Sequence, residues 1–295
     1  MHPERTRRTG RLAVVRPAGL SAALERRLGL QVLFDFPDIV EAVEFASGQG
    51  FGAVELNLGN LEFSRQLTDA RGRRRVRTRA ERLGIRLAVH AVEGASLFVP
   101  DRAVLRFSIR TVKLLLDRAA DAGIENVVMH LGFEMAYSSG GRHEYPHEYY
   151  PEFYAALVED ALAELKEHAR GRARLCIENV GGFRFEFVHR ALDKLLGGNL
   201  GLCYDIGHNA ILPGPARRAE AELYRRHARR VYHSHLHDNR GRQDEHLPLG
   251  RGSIKLASYL RFLVGTPALL CVEVRPRAAA VESRDYLLRE VLARG

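Results

Sequence analysis

Histidine and carboxylate side chains are concentrated in residues 231–252, which read VYHSHLHDNRGRQDEHLPLGRG. This segment contains four of the thirteen histidines of the chain, three of them at alternating positions, and Asp244 precedes the fourth by two residues. Imidazole and carboxylate groups are the usual protein ligands of divalent zinc, manganese and iron. The spacing therefore indicates a metal site, for which other parts of the chain would supply further ligands.

Histidine and carboxylate side chains also stand at the ends of most of the other apolar runs in the sequence. Eight short β-rich runs occur, at residues 30–36, 53–58, 85–91, 126–132, 173–179, 200–207, 231–238 and 268–274. A single histidine at a strand end is more often a hydrogen-bonded structural residue than a ligand. Carboxylates gathered on one axis, however, are costly to bury without a cation. The residues collected in this way are Glu55, Asn57, His90, His130, Glu178, Asp205, His208, His235 with its neighbours, Asp244, His246 and Glu273.

Helix-like segments separate these runs and predict the architecture. In residues 37–50 and 102–123 the apolar side chains recur every three or four positions and a glycine stands at the end, as is typical of amphipathic helices. Eight strand and helix repeats in this length favour a single-domain α/β fold, a (β/α)₈ TIM barrel, over an open doubly wound sheet. We expect the barrel to span residues 29–295, after an Arg-rich extension at 1–28.

Composition limits the partners of such a barrel. The apolar runs are far shorter than the roughly 20 residues of a membrane-spanning helix, and the N-terminus lacks a signal-peptide pattern, so we expect a cytoplasmic protein without membrane contact. The net charge of +9 arises from 45 basic and 36 acidic residues. The basic run RGRRRVR at 71–77 could contact a phosphate backbone, but a helix with a solvated face is the favoured interpretation.

Two further features concern the walls of the site. Cys176, Cys203 and Cys271 each stand two residues before a collected carboxylate, so strand alternation directs them into the barrel beneath the site. Their odd number and the lack of a C-x-x-C spacing argue against a disulfide framework and against a thiolate zinc site. Residues 133–151 are predicted to form a long loop, which could be a substrate lid, a base-stacking surface or an oligomer contact.

Several stretches resemble a known superfamily over most of the chain, from about residue 30 onwards. CIENVGG, LCYDIGHNAI, HLHDNRGRQDEHLPLGRGSI and CVEV are similar to the sugar phosphate isomerase/epimerase superfamily, which includes xylose isomerase-like enzymes and endonuclease IV-type nucleases. The isomerase-like pattern implies one divalent ion (Zn, Mn, Mg, Co or Fe) with the ligands Glu178, Asp205, His235 and Glu273. The nuclease-type pattern implies three zinc ions, for which the additional ligands would be His90, His130, His208, Asp244 and His246.

The resemblance leaves two reactions open. The first choice is a metal-dependent isomerase or epimerase of a sugar or sugar phosphate, in which Glu178 and Glu273 remove and return a proton beside a polarised carbonyl. The wording H-L-H-D-N is closer to this group than the H-L-N-D of the nucleases. The alternative is zinc-dependent cleavage of abasic DNA, and a third possibility is a non-catalytic, metal-stabilised binding barrel.

The remaining polar residues have predicted supporting roles. Asn57, His237 and Arg251 are predicted to contact substrate, and Glu55, His233 and Asp238 are predicted to contact the metal ligands. Gly250 and Gly252 would let the backbone approach the substrate or the metal ligands closely. The expected substrate is a small carbohydrate, or abasic DNA under the alternative, and a homo-oligomer is possible.

Overall fold

Eight parallel strands form a closed barrel in the computed structural model, which describes residues 22–291. The barrel strands are β1 Leu28–Val32, β2 Ala53–Asn57, β3 Arg86–His90, β4 Ile124–Met129, β7 Arg174–Glu178, β8 Leu200–Asp205, β9 Val231–Leu236 and β10 Leu269–Val272. Around the barrel they follow the order β1-β10-β9-β8-β7-β4-β3-β2, and β1 pairs with both β2 and β10. The sheet therefore has no edge, so the prediction of a (β/α)₈ barrel is confirmed and the open sheet is excluded.

Helices cover the outside of the barrel, and side chains and glycines set their ends. Asp101 begins the longest helix by accepting hydrogen bonds from two backbone amides, and Gly123 ends it with a φ of 70°. The helices are α1 Ala22–Glu25, α2 Ile39–Gly48, α3 Leu61–Thr68, α4 Ala70–Leu83, α5 Arg102–Ala122, α6 Pro146–Tyr149, α7 Pro151–Ala169, α8 Glu186–Leu195, α9 Ile206–Ile211, α10 Gly214–Arg226, α11 Leu256–Val264 and α12 Arg277–Tyr286. Within residues 22–291, none is both long and apolar enough to cross a membrane.

The chain start differs in detail from the expectation. Strand β1 begins at Leu28, two residues before the β-rich run read from the sequence, and α1 precedes it. Residues 1–21 of the predicted Arg-rich extension lie outside the described residues. The extension thus stays a prediction, whereas the start of the barrel is placed at β1.

The structure assigns secondary structure to two segments for which the sequence left alternative interpretations, residues 71–77 and 133–151. The basic run at 71–77 lies within α4, whose buried residues are Val76 and Ala80, as the helical interpretation predicts. Residues 133–151 do not form a structureless loop. They contain an antiparallel hairpin of β5 Tyr137–Ser139 and β6 Arg142–Glu144, followed by α6. A long loop without regular structure would leave its backbone groups unpaired, and the hairpin pairs part of them.

All three cysteines are free and buried, as the strand alternation predicts. Cys176 and Cys203 pack with Val128 and Tyr232 inside the barrel. Cys271 donates to a carboxylate oxygen of Glu55 at 3.3 Å. Small thiols thus fill the layer below the polar strand ends.

Close packing around one barrel glycine generates the first prediction. A Cβ at Gly201 would stand 2.3 Å from the Tyr232 ring and 2.6 Å from the Arg230 carbonyl oxygen, whereas at Gly29 the nearest atoms are 3.4 Å away. We expect Gly201→Ala to lower the free energy of unfolding by about 2 kcal/mol, because overpacking forces the backbone to shift. Denaturant unfolding measures this, with Gly29→Ala as the matched strand control. Equal losses in both variants would contradict the packing argument.

Candidate metal centre

The deepest part of the site is a buried carboxylate and imidazole pair. Glu55 of β2 places its two carboxylate oxygens 3.0 and 3.2 Å from Nε2 of His235, and His233 Nε2 lies 3.4 Å from the nearer oxygen. Burial opposes ionisation of Glu55, but His235 and His233 hold its pKa well below the usual range. An ionised carboxylate on Nε2 fixes the ring so that Nδ1 faces the barrel mouth. Glu55 and His233 thus lie against the ring of His235, where their predicted supporting role would place them.

The other ring nitrogen of His235 is the centre of a carboxylate cluster. Its Nδ1 lies 3.1 Å from Glu273, 3.4 Å from Glu178 and 3.5 Å from Asp205, in each case measured to a carboxylate oxygen. Asp205 and His235 are direct neighbours across the β8 and β9 pairing. The structure therefore brings together the four residues for which the resemblance implied a single divalent ion.

Glu178 also faces two histidines from the neighbouring strands. Its Oε2 lies 3.1 Å from Nε2 of His90, at the end of β3, and 3.2 Å from Nε2 of His130, which follows β4. Burial favours the neutral imidazole of His90, but Glu178 raises its pKa to about 9. These three residues form a second group with ligand atoms within 4.8 Å of one another.

A third group stands at the outer side of the mouth. Asp244 Oδ2 lies 3.1 Å from Nε2 of His208 and 3.0 Å from Nε2 of His246. His237 stacks on His246 with ring centroids 3.9 Å apart, and its Nε2 lies 3.1 Å from Asp205. His237, predicted to contact substrate, thus belongs to the same group as the three predicted ligands.

Buried histidine ring nitrogens that make no hydrogen bond indicate whether the site suits a metal ion. Nδ1 of His130, His208 and His235 is buried and makes no hydrogen bond. Carboxylate oxygens lie 3.3 Å from Nδ1 of His208 and 3.1 Å from that of His235, without hydrogen-bond geometry. Buried polar atoms rarely stay unpaired, and a cation shared between nitrogen and oxygen would satisfy both. The donor set of imidazoles and carboxylates fits zinc, manganese or iron.

The N-cap of helix α9 fixes the backbone of one of these histidines, His208. Asp205 ends β8, and its Oδ1 accepts from the backbone amide of His208 at 2.8 Å. Gly207 lies between them, where a Cβ would stand 1.9 Å from the ring of His237. The sequence D-I-G-H therefore places two ligands three residues apart and leaves room for the His237 ring.

Asp238 organises the loop that carries Asp244 and His246. Both of its carboxylate oxygens accept backbone N–H groups, and the donors are Asn239, Gly250, Gly252 and Ile254, at 2.9 to 3.0 Å. This corrects the expectation that Asp238 contacts the ligands directly. A Cβ at Gly252 would stand 2.3 Å from Asp238 Oδ1, so this glycine admits the carboxylate and not substrate.

Of the two other predicted substrate contacts, one lies away from the barrel mouth and the other lies at it. Arg251 makes an ion pair of 2.5 Å with Glu282 of α12, and its side chain is 67% exposed, because its loop position faces outward. The structure thus corrects its placement as a phosphate contact. Asn57 ends β2 beside His90, and its side-chain oxygen accepts from the amide of Gly59 at 2.9 Å. Asn57 remains at the barrel mouth as predicted.

Two supporting residues were missed in the sequence. Gln31 of β1 is buried and donates to Glu273 Oε1 at 2.8 Å, while Arg275 donates to the Gln31 oxygen. Asn179 accepts from the Asp205 amide at 2.7 Å and donates to Glu220 at 2.9 Å. Gln31 is the second residue of the apolar run 30–36 as read from the sequence, so a rule that collects residues at the ends of runs misses it. It stands near a strand end only because β1 spans Leu28–Val32.

A cavity of about 380 Å³ opens beside the centre. His208 lies on one side, and the opposite wall includes Tyr145 from residues 133–151 together with Arg184 and Phe185 after β7. Arg184 donates to the Tyr145 hydroxyl at 2.6 Å and lies over the Phe185 ring. The cavity thus joins one aromatic wall and one cation to the candidate ligands.

Comparison with known proteins agrees with this geometry. Residues 43–290 match the sequence profile of the xylose isomerase-like TIM barrel family. The chain belongs to that family. An uncharacterized protein of Methanocaldococcus jannaschii is 24% identical over 293 residues, which cover 90% of this chain and 89% of that protein.

Solved structures in the same fold include both kinds of enzyme implied by the resemblance. A D-tagatose 3-epimerase-like protein superposes with a TM-score of 0.69 at 21% identity, over 88% of this chain and 95% of its own. Endonuclease IV of Thermus thermophilus gives a TM-score of 0.63 at 21% identity, over 91% of this chain and 98% of its own. At these identities the likeness establishes the shared fold of this family member.

The carboxylate of Asp238 generates the second prediction. We expect Asp238→Ala to lower the free energy of unfolding by about 3 kcal/mol, because it strands several buried N–H donors. Hydrogen exchange of residues 239–254 should become faster. Glu245→Ala, in the same loop, removes a carboxylate that pairs with the exposed Arg240 and should change little. Unchanged exchange in the Asp238 variant would show that the loop is held by other contacts.

Proposed function

We propose that this protein is a metal-dependent isomerase or epimerase of a sugar or sugar phosphate. The observation that supports it most is the convergence of Glu178 and Glu273 on one ring nitrogen, Nδ1 of His235, from two different strands. A divalent ion held there, zinc, manganese, magnesium, cobalt or iron, would polarise a substrate carbonyl and acidify the neighbouring C–H bond. Asp205 and His235 would complete its ligand set.

Within this proposal, the two glutamates move the proton. One carboxylate removes the proton from the carbon next to the carbonyl, and the other returns it to that carbon or to its neighbour. Return to the opposite face of the same carbon gives an epimer, and return to the neighbouring carbon gives an isomer. Gln31 would orient Glu273 through its 2.8 Å hydrogen bond to Oε1, while Oε2 of Glu273 lies 3.1 Å from Nδ1 of His235.

The cavity beside the centre favours a small substrate. Its volume of about 380 Å³ lies within the range of about 300–1,000 Å³ that is typical of small-molecule sites. Residues 133–151 supply part of its wall, which narrows the opening over the centre. Arg184 could pair with a phosphate group, while Phe185 and Tyr145 offer apolar faces to a sugar ring.

Exchange of substrate hydrogen with solvent tests the proposed proton transfer. Candidate ketohexoses and their phosphates are incubated with the metal-loaded protein in D₂O, and mass spectrometry and NMR follow deuterium incorporation and product formation. We expect Glu178→Gln and Glu273→Gln to slow exchange by about 10²-fold or more, because each removes a proton acceptor or a ligand.

An exposed carboxylate provides the control for this experiment. Glu282 lies on α12 and pairs with Arg251 away from the centre, so Glu282→Gln should retain full activity. Substrate turnover without any deuterium incorporation would exclude proton transfer through these glutamates. Failure of every tested sugar, combined with robust cleavage of DNA, would replace the proposed reaction by the alternative.

Zinc-dependent cleavage of abasic DNA remains a second candidate because all nine predicted ligands come together. Two groups flank the central cluster: one is His90, His130 and Glu178, and the other is His208, Asp244 and His246. Glu178 belongs to the first group and lies 3.3 Å from Nδ1 of His208 in the second. The arginines at 71–77 give it little support, because three of the five are already paired with carboxylates. Arg73 pairs with Asp121 of α5, Arg75 with Asp38 at the start of α2, and Arg77 with Glu81 of α4. An incision assay on an abasic duplex tests this reaction directly.

The number of metal ions bound per chain distinguishes the isomerase proposal from the nuclease alternative. We expect chelation to abolish activity and to lower the melting temperature, since ligands that bind only the folded state stabilise it. Elemental analysis after reconstitution should give one ion per chain for the mononuclear isomerase, and His90→Ala should leave that ion bound. Three ions, reduced in number by His90→Ala or Asp244→Ala, would favour the nuclease-type centre.

A further inference from the structure

A second cavity, of about 490 Å³, lies on the outside of the barrel between α10 and α11. Helix α9 and residues 239–254 form its inner wall. None of the nine predicted metal ligands lines it, so it is separate from the cavity beside the centre. Its volume is within the range of small-molecule sites.

The charge of this second cavity is entirely of one sign. Arg217, Arg218 and Arg225 enter it from α10 and Lys255 enters from the start of α11, while no carboxylate lines it among residues 22–291. Arg225 pairs with Glu222 at 2.7 Å. Across the described part of the chain, the side chains of Arg218 and Lys255 have no ion pair or hydrogen bond. Two cations are thus left available to an anionic ligand.

An aromatic wall faces these cations and is held in place. Tyr259 donates from its hydroxyl to Asn209 at 2.8 Å, and its ring meets the buried Tyr204 edge-on at a centroid distance of 5.9 Å. Phe262 meets Tyr204 in the same way at 6.0 Å. Tyr204 itself stacks on Tyr224 at 3.9 Å. The wall therefore needs no rearrangement to contact an apolar or planar group.

We propose that this second cavity binds a small organic phosphate, such as a nucleoside monophosphate. Arg218 and Lys255, with Arg217 beside them, would hold the phosphate, because guanidinium and ammonium groups pair strongly with phosphate oxygens. The organic part would lie against Tyr259 and Phe262. Asn209 adjoins His208, and Gly241 lies in the loop of Asp244, so the bound ligand would contact the backbone that carries two candidate metal ligands.

Binding of adenosine 5′-monophosphate to the full chain tests this site. Isothermal titration is done with the metal-loaded protein and again after chelation, with adenosine and inorganic phosphate as partial probes. We expect saturable binding of the nucleotide in both states, tighter than that of either partial probe. The double variant Arg218→Ala/Lys255→Ala should weaken the binding of the nucleotide at least about tenfold. Each lost hydrogen bond to a charged group lowers the affinity by roughly a factor of ten.

A second double variant controls for diffuse charge. Arg106→Ala/Arg110→Ala removes two exposed basic side chains from α5, outside the cavity, and should leave the affinity unchanged. Equal weakening in both double variants would overturn the proposal, as would the absence of saturation at about 10 mM nucleotide, which is weaker than specific binding of this kind. Inorganic phosphate that binds as tightly as the nucleotide would show that the aromatic wall contributes nothing to binding, and would overturn an organic phosphate as the ligand. A single-stranded oligonucleotide that binds through Arg218 and Lys255 while the nucleotide does not would also refute it.

Discussion

The carboxylate of Glu178 connects every part of the candidate centre. One of its oxygens faces His90 and His130, and the other faces His208 and His235. Burial opposes its ionisation, but His235, His130 and His208 hold its pKa well below the usual range. A buried anion of this kind is tolerated only with positive charge or a cation around it. The position of Glu178, at the end of β7, therefore constrains what the neighbouring strands must bring.

A closed barrel meets this constraint because its strands end on a common ring. The register places Asp205 beside His235 and Asn57 beside His90, so predicted site residues of adjacent strands lie next to each other. The layer below the strand ends is filled by buried side chains, which are those of Glu55, His233 and the three cysteines. Asp238 then fixes the loop above through backbone amides. The candidate ligands are therefore held by the barrel and by hydrogen bonds, which would reduce the ordering cost of binding an ion.

Much of this arrangement follows from the sequence, for identifiable reasons. The alternation of buried runs and helical segments predicts eight strands whose ends converge in a barrel. The nine candidate ligands could therefore be selected from the strand ends and the resemblance without coordinates. Alternation alone could not separate His235 from His233 and His237, because all three point inward. The structure separates them by depth: Glu55 contacts His233 and His235, and His237 stacks on His246.

What the sequence left open concerns loops, whose contacts depend on the tertiary fold. The carboxylate of Asp238 could be read as a ligand contact because nothing in the string D-N-R-G-R shows that four amides converge on it. Arg251 stands between two glycines, and only the position of α12 reveals that it pairs with Glu282. The hairpin and α6 within residues 133–151 likewise depend on contacts with the segment after β7, such as His147 against Phe185 at 4.3 Å.

The same loops decide which substrate reaches the ligands. The resemblance implies that isomerases and nucleases of this superfamily share most of a ligand set, so the set itself is a weak guide to the reaction. Substrate size is set by the walls instead, and here the segment that carries Tyr145 stands over His208 and Arg184. Arg184, which follows β7, donates to the Tyr145 hydroxyl at 2.6 Å and so ties this wall to the barrel. A wall attached to the barrel in this way, around a cavity of about 380 Å³, suits a sugar-sized ligand. The size of this cavity therefore adds a second argument for the isomerase proposal to the convergence of Glu178 and Glu273 on His235.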